Sequence, residues 1–163
     1  MDTVSAVLAG KKPQLTMRAR SELDDRTIGF IEARDTFFLA SATADGGPYV
    51  QHRGGPPGFL RAVDRHTLAF ADFSGNRQYL TVDNVADDPR VMLLILDFAT
   101  RRRLKVWGRA RVVHDVTSEL TPTLAAAGFQ DVERLFVIDV DAFDWNCPQH
   151  ITPRFTAEEW GAR

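Results

Sequence analysis

The chain has 163 residues, with 20 lysines and arginines against 22 aspartates and glutamates, and 44% of it is hydrophobic. That length predicts one compact domain whose core needs no metal or disulfide staple, and the composition excludes disordered and collagen-like chains. A formal net charge of −2 leaves no basic surplus to displace phosphate counterions, which excludes a dedicated nucleic-acid binder.

Residues 1–22 read as a helical arm, with Val4, Val7 and Leu8 on one stripe, ahead of a folded domain over 23–163. The arm lacks the apolar core and small-residue cleavage site of a secretory signal. Asp24 or Asp25 caps a helix carrying Ile28, Phe30 and Ile31. Residues 37–43 and 49–53 then read as strands around Ala44-Asp45-Gly46-Gly47-Pro48, whose Asp-Gly is a hairpin signal. Gly54-Gly55-Pro56-Pro57-Gly58 breaks regular structure. Strands are expected over 67–73, 91–98, 104–113 and 135–143. The longest apolar run, Val91-Met92-Leu93-Leu94-Ile95-Leu96, fits one buried strand and falls far short of the roughly 18 residues of a membrane span.

In the strand over 104–113, Val106, Gly108, Ala110 and Val112 alternate with Lys105, Trp107, Arg109 and Arg111, the pattern of a half-buried strand. In the last strand Phe136, Ile138, Val140 and Ala142 alternate with Val137, Asp139 and Asp141. One helix follows Phe73 and stops at Asp87-Asp88-Pro89. Another runs from Thr121 as cap, with Pro122 as first helical residue, to Gly128. Six strands with few helices predict a mainly β (α+β) fold, an antiparallel barrel closed or partly closed. A doubly wound parallel sheet would need a helix after nearly every strand.

Three stretches could carry chemistry. Around Phe73-Ser74-Gly75-Asn76-Arg77-Gln78 a strand hands over to a helix, and a helix N-terminus suits an anion. Arg77 adds a charged fork matched to phosphate; the competing reading is a plain cap by Ser74 or Asn76. Gln51-His52-Arg53-Gly54-Gly55 puts polar side chains before two glycines, which lets a flat ligand approach the backbone. It reads equally as a hairpin entering the proline-rich loop. Arg53 would add a second phosphate charge if its strand lies beside the one ending at Phe73.

The third stretch is Trp145-Asn146-Cys147-Pro148-Gln149-His150-Ile151-Thr152-Pro153. Cys147 and His150 make only two zinc ligands, so no metal site is expected. A Cys147 nucleophile would lack a third, orienting group. Gln149 and His150, held by flanking prolines, suit positioning of a ligand. The lone cysteine cannot form an intrachain disulfide, in keeping with a cytoplasmic protein. Arg101-Arg102-Arg103 with Lys105 reads as a solvated turn, and Asp139 with Asp141 as a solvated strand face. Phosphate-loop, dinucleotide and nucleophile-elbow motifs are absent.

In order, Tyr49 through Gly58, Phe70 through Gln78, Val91 through Gly108 and Trp145 through Pro153 resemble the pyridoxamine 5′-phosphate oxidase-related, FMN-binding split-barrel proteins. The resemblance implies a six-stranded antiparallel split barrel and a homodimer with FMN at the subunit interface. It puts the phosphate contact on Ser74, Asn76, Arg77 and Gln78 after Asp72, with Arg77 as clamp. The flavin-lining strand falls on Gln51, His52, Arg53 and Gly54, and a further polar flavin contact on Arg103, five residues before Gly108. The oxidase's closing Arg- and His-bearing segment, which holds pyridoxal phosphate, has no equivalent here, so pyridoxamine phosphate is not the expected substrate. The expectation is an FMN-binding oxidoreductase of a small substrate, with no catalytic acid or base assigned. The alternatives are a flavin-binding protein without turnover, or a split barrel holding haem or a deazaflavin. No membrane partner is expected.

Overall fold

The computed structural model describes residues 21–73, 79–114 and 132–162. The helix expected over 121–128 and residues 1–20 of the expected arm lie outside the described residues. Helix α1, Asp25–Glu32, begins where the sequence places it: the Asp24 carboxylate accepts the Thr27 N–H at 2.8 Å, satisfying a donor that has no helical partner. Phe30 and Ile31 are its buried face.

Seven strands follow the expected order: β1 Thr36–Ala42, β2 Pro48–Gly54, β3 Leu60–Ala62, β4 Thr67–Phe73, β5 Arg90–Asp97, β6 Arg102–Val113 and β7 Val132–Asn146. Helix α2, Leu80–Asp87, lies between β4 and β5, and a short α3, Ala157–Gly161, closes the chain behind a Thr156/Glu159 capping box. The strands form one antiparallel sheet in the order β2-β1-β5-β6-β7-β4-β3. The seventh strand, β3, departs from the six expected. It is three residues long, too short for a period to stand out, and it exists by pairing Leu60 with Phe70 and Ala62 with Leu68 on β4.

Helix α2 starts at Leu80 with Tyr79 at its cap position, and the expected caps Ser74 and Asn76 lie outside the described residues. One further expectation is corrected. Strand β7 runs 15 residues, and Val137, expected on a solvated face, is fully buried. It packs with Ala69, Ala71 and Leu135 in a second apolar cluster behind the main core, so β4 and β7 are covered on both faces. The main core holds Phe37, Phe59, Phe70, Phe136 and Phe143 among aliphatic residues. Phe70 and Phe136 stack in parallel at 4.9 Å.

Strands β2 and β4 lie toward opposite ends of this order and share no backbone ladder. The barrel is therefore split between them. No described helix is long and apolar enough to cross a membrane.

Candidate functional site

The seam between β2 and β4 is bridged by side chains. On β2 the register places Gln51 opposite Leu39 and Arg53 opposite Phe37, both buried, so Gln51 and Arg53 share the inward face while Val50 and His52 point outward. The Gln51 amide oxygen accepts the Thr81 hydroxyl at 2.9 Å, and the Asn84 amide donates to the Ser41 hydroxyl at 2.9 Å. These two bonds seat α2 against β1 and β2.

Arg53 reaches across the split. Its Nη1 donates to Asp72 Oδ1 at 2.7 Å, with the two side chains 15% and 13% exposed. The guanidinium also lies over Phe70 and Phe136, 5.8 and 5.5 Å from the ring centres. The second Asp72 oxygen faces Arg134 Nε at 3.6 Å, with Arg134 only 6% exposed. Arg134 is the β7 residue in register with Asp72. It pairs with Glu133 and stacks 4.5 Å from the Tyr79 ring centre, while the Tyr79 hydroxyl donates to Glu133 at 3.1 Å.

Burial pushes the Asp72 carboxyl above the ordinary aspartate range, and the two neighbouring guanidiniums only partly oppose that. Two arginines and two carboxylates cancel, so this described cluster carries no net charge.

A cavity of about 170 Å³ opens here, lined by His52, Arg53, Gly54, Phe59, Phe70, Ala71, Asp72 and Phe73. The flanking glycines also have close neighbours within the chain. A Cβ on Gly55 would fall 2.8 Å from the Phe59 ring, and one on Gly54 would fall 3.0 Å from the His52 ring. These glycines let the protein's own rings close in. His52 Nε2 is hydrogen-bonded to the Thr36 hydroxyl at 2.6 Å.

Of the expected site residues, the structure brings together His52, Arg53, Gly54 and Asp72, with Gln51 beside them as a tether for α2. Ser74, Asn76, Arg77 and Gln78 lie outside the described residues. Arg103, Gln149 and His150 do not line the seam cavity. Arg103 sits on β6 opposite Leu96 and Asn146, with its Nε buried and without a hydrogen-bond partner among the described residues. Gln149 and His150 occupy an exposed turn after β7, His150 with φ 64°. Arg134 and Glu133 are not singled out in the sequence; the β4–β7 register, which sets Arg134 opposite Asp72, reveals them.

A larger cavity of about 420 Å³, floored by the Arg34–Asp97 ion pair at 2.9 Å, lies between β5 and the C-terminal segment and contains none of the expected site residues. Among the described residues no three potential metal ligands converge, and Cys147 is exposed.

The family model described as pyridoxamine 5′-phosphate oxidase matches residues 23–129, well over half of the chain. No curated protein matches significantly. An FMN-binding protein from Syntrophomonas wolfei shares the fold at 10% identity and a TM-score of 0.55, covering 76% of this chain and 88% of its own. An F420 reductase does so at 22% identity and 0.52, covering 71% and 94%. The haem storage protein HutZ from Vibrio cholerae matches at 19% identity and 0.52, covering 76% and 94%. At these identities the likeness establishes the split-barrel fold.

Proposed function

This chain belongs to the pyridoxamine 5′-phosphate oxidase family, and from that premise we propose that it is an FMN-binding oxidoreductase acting on a small substrate other than pyridoxamine phosphate. The observation that carries the reading is the seam. The stretch resembling the family's flavin-lining strand converges with the end of β4 on one cavity, whose lining includes the aromatic Phe59, Phe70 and Phe73 and the charged Arg53 and Asp72. Aromatic walls with a few fixed polar groups suit a flat, hydrogen-bonding ring.

In this reading Gln51, His52, Arg53, Gly54 and Asp72 line or brace the ring end of FMN. Ser74, Asn76, Arg77 and Gln78 hold its phosphate, with Arg77 supplying the charge that the neutral seam does not. Bound FMN supplies electron transfer, while the chain supplies anchoring, orientation and control of water.

The site is completed by a second copy. Phe38 is in register with Leu94, Ala40 with Met92, and Met92 with Trp107. These half-buried side chains form one apolar face across β1, β5 and β6. A two-fold interface on that face brings Arg103, Gln149 and His150 to the partner's cofactor, since they do not reach the seam of their own chain. The protein works in the cytoplasm in this account.

Activity is tested with the FMN-loaded protein under anaerobic conditions. NADH or NADPH should bleach the oxidised-flavin bands and an added acceptor should restore them, while pyridoxamine phosphate should give no turnover. A flavin that neither nucleotide reduces would assign the protein to binding without turnover.

A further inference from the structure

We propose that the seam between β2 and β4 is a one-ring pocket that reads the pyrimidine-dione edge of an isoalloxazine-type cofactor, with Asp72 accepting the ring N3–H and Arg53 donating to a flanking carbonyl. The inference rests on the flavin reading above and adds to it which end of the cofactor enters the seam and which atoms are read.

Size comes first. A cavity of about 150 Å³ holds one benzene ring, and the seam cavity measures about 170 Å³. One six-membered ring fits, while a tricycle or a porphyrin must leave most of its surface outside. Charge decides between the two ends of FMN. Arg53 and Arg134 are matched by Asp72 and Glu133, so among the described residues the seam offers a phosphate no uncompensated cation and confronts it with a half-buried carboxylate. An uncharged ring carries no such penalty.

Hydrogen-bond chemistry then selects the kind of ring. Arg53 and Asp72 stand side by side as donor and acceptor, joined at 2.7 Å. A carboxylate has room for about four hydrogen bonds and a guanidinium donates five, so neither is exhausted by their mutual contact. An imide edge, which alternates carbonyl, N–H and carbonyl, matches that pair. Flavins and deazaflavins share this edge, and haem lacks it.

The pair is also held rigidly. The stacked Phe70 and Phe136 rings back the guanidinium, and the charge of Arg134 on β7 faces the second carboxylate oxygen at 3.6 Å. Arg134 is thus a positioning residue.

The test changes one ligand atom. Lumiflavin, which lacks the ribityl phosphate, and 3-methyllumiflavin, which also lacks the N3–H, are titrated into cofactor-stripped wild-type protein and followed by flavin fluorescence. A charge-assisted hydrogen bond of about 1.5–3 kcal/mol corresponds to a loss of roughly 10- to 150-fold for the methylated ring. In Asp72→Ala the two ligands should bind within about threefold of each other, and Asp72→Glu should restore part of the preference. Should Asp72→Ala not fold, the wild-type comparison alone decides. Equal wild-type affinities for the two rings would overturn the inference and leave the flavin reading standing. Failure of FMN as well as both lumiflavins to bind would overturn the two together.

Discussion

Arg53 was expected to lend a second charge to a phosphate if β2 lay beside the end of β4. The strands do meet at the seam, but the guanidinium is matched there by Asp72 at 2.7 Å. In the proposed reading the phosphate therefore depends on Arg77. Removing a charged hydrogen-bonding partner of this kind costs about 1.5–3 kcal/mol. Arg77→Ala should weaken FMN binding by about one to two orders of magnitude in a fluorescence titration. It should leave riboflavin affinity within about twofold. An equal loss for both ligands would remove Arg77 from the phosphate.

Asp97 offers a test of stability at the same scale. Burial pushes its carboxyl up, but hydrogen bonds from Thr100 and the charges of Arg34 and Arg102 outweigh that and hold it below the ordinary aspartate value of 3.8. A carboxyl depressed in the folded state contributes stability that is present above the unfolded pKa and is lost as pH falls through the folded one. Asp97→Asn should therefore destabilise the protein near neutrality and flatten the loss of stability below about pH 4. Denaturant melts at several pH values measure this. Parallel pH profiles for the two proteins would show that Asp97 gains nothing from its partners.

Among the elements, those with one buried face were legible and those shaped by long-range pairing were not. Strand β6 announces itself because Leu104, Val106 and Ala110 are buried while Arg109 and Arg111 are exposed. Helix α1 does so through the Asp24 cap. By contrast β3 has only three residues, and its existence depends on β4. Strand β7 hides its length because it is covered on both faces and its ends carry charged or polar residues. The site divides in the same way. Arg53 and Asp72 lie in stretches whose local character already points to a ligand. Arg134 belongs to the site only because the β4–β7 register sets it opposite Asp72, and no local pattern encodes that pairing.

The β6–β7 register also shifts at Trp107/Gly108, and this explains the glycine. A Cβ at Gly108 would sit 2.4 Å from the Asp139 carbonyl oxygen, where backbone rather than a flexible side chain would have to move. Gly108→Ala should cost about 1–3 kcal/mol by overpacking. For a chain of this length each kcal/mol lowers Tm by roughly 2–4 °C. Calorimetry showing an unchanged Tm would mean that the bulge relaxes freely.

At the scale of the whole molecule, the proposed reading makes the apolar face on β1, β5 and β6 the link between assembly and cofactor retention. Leu94 lies within it, between Phe38 and Lys105 in register. Leu94→Asp places a charge in the proposed two-fold interface, where an unpaired buried charge is strongly unfavourable. Sedimentation velocity at micromolar concentration should show a dimer for the wild-type protein and a monomer for the variant, and the variant should lose its FMN on gel filtration. A monomeric wild-type protein that keeps its full FMN would remove the second copy from the site.

The proposal of a flavin cofactor rests on the seam, the family membership and the neutral cluster around Asp72. The most direct measurement is a titration of cofactor-stripped wild-type protein with FMN, with the absorption spectrum recorded after gel filtration. The account predicts saturable quenching of flavin fluorescence approaching one FMN per chain, and oxidised-flavin bands that travel with the protein. A protein peak that carries no flavin, or that takes up haem with a Soret band and excludes FMN, would contradict it.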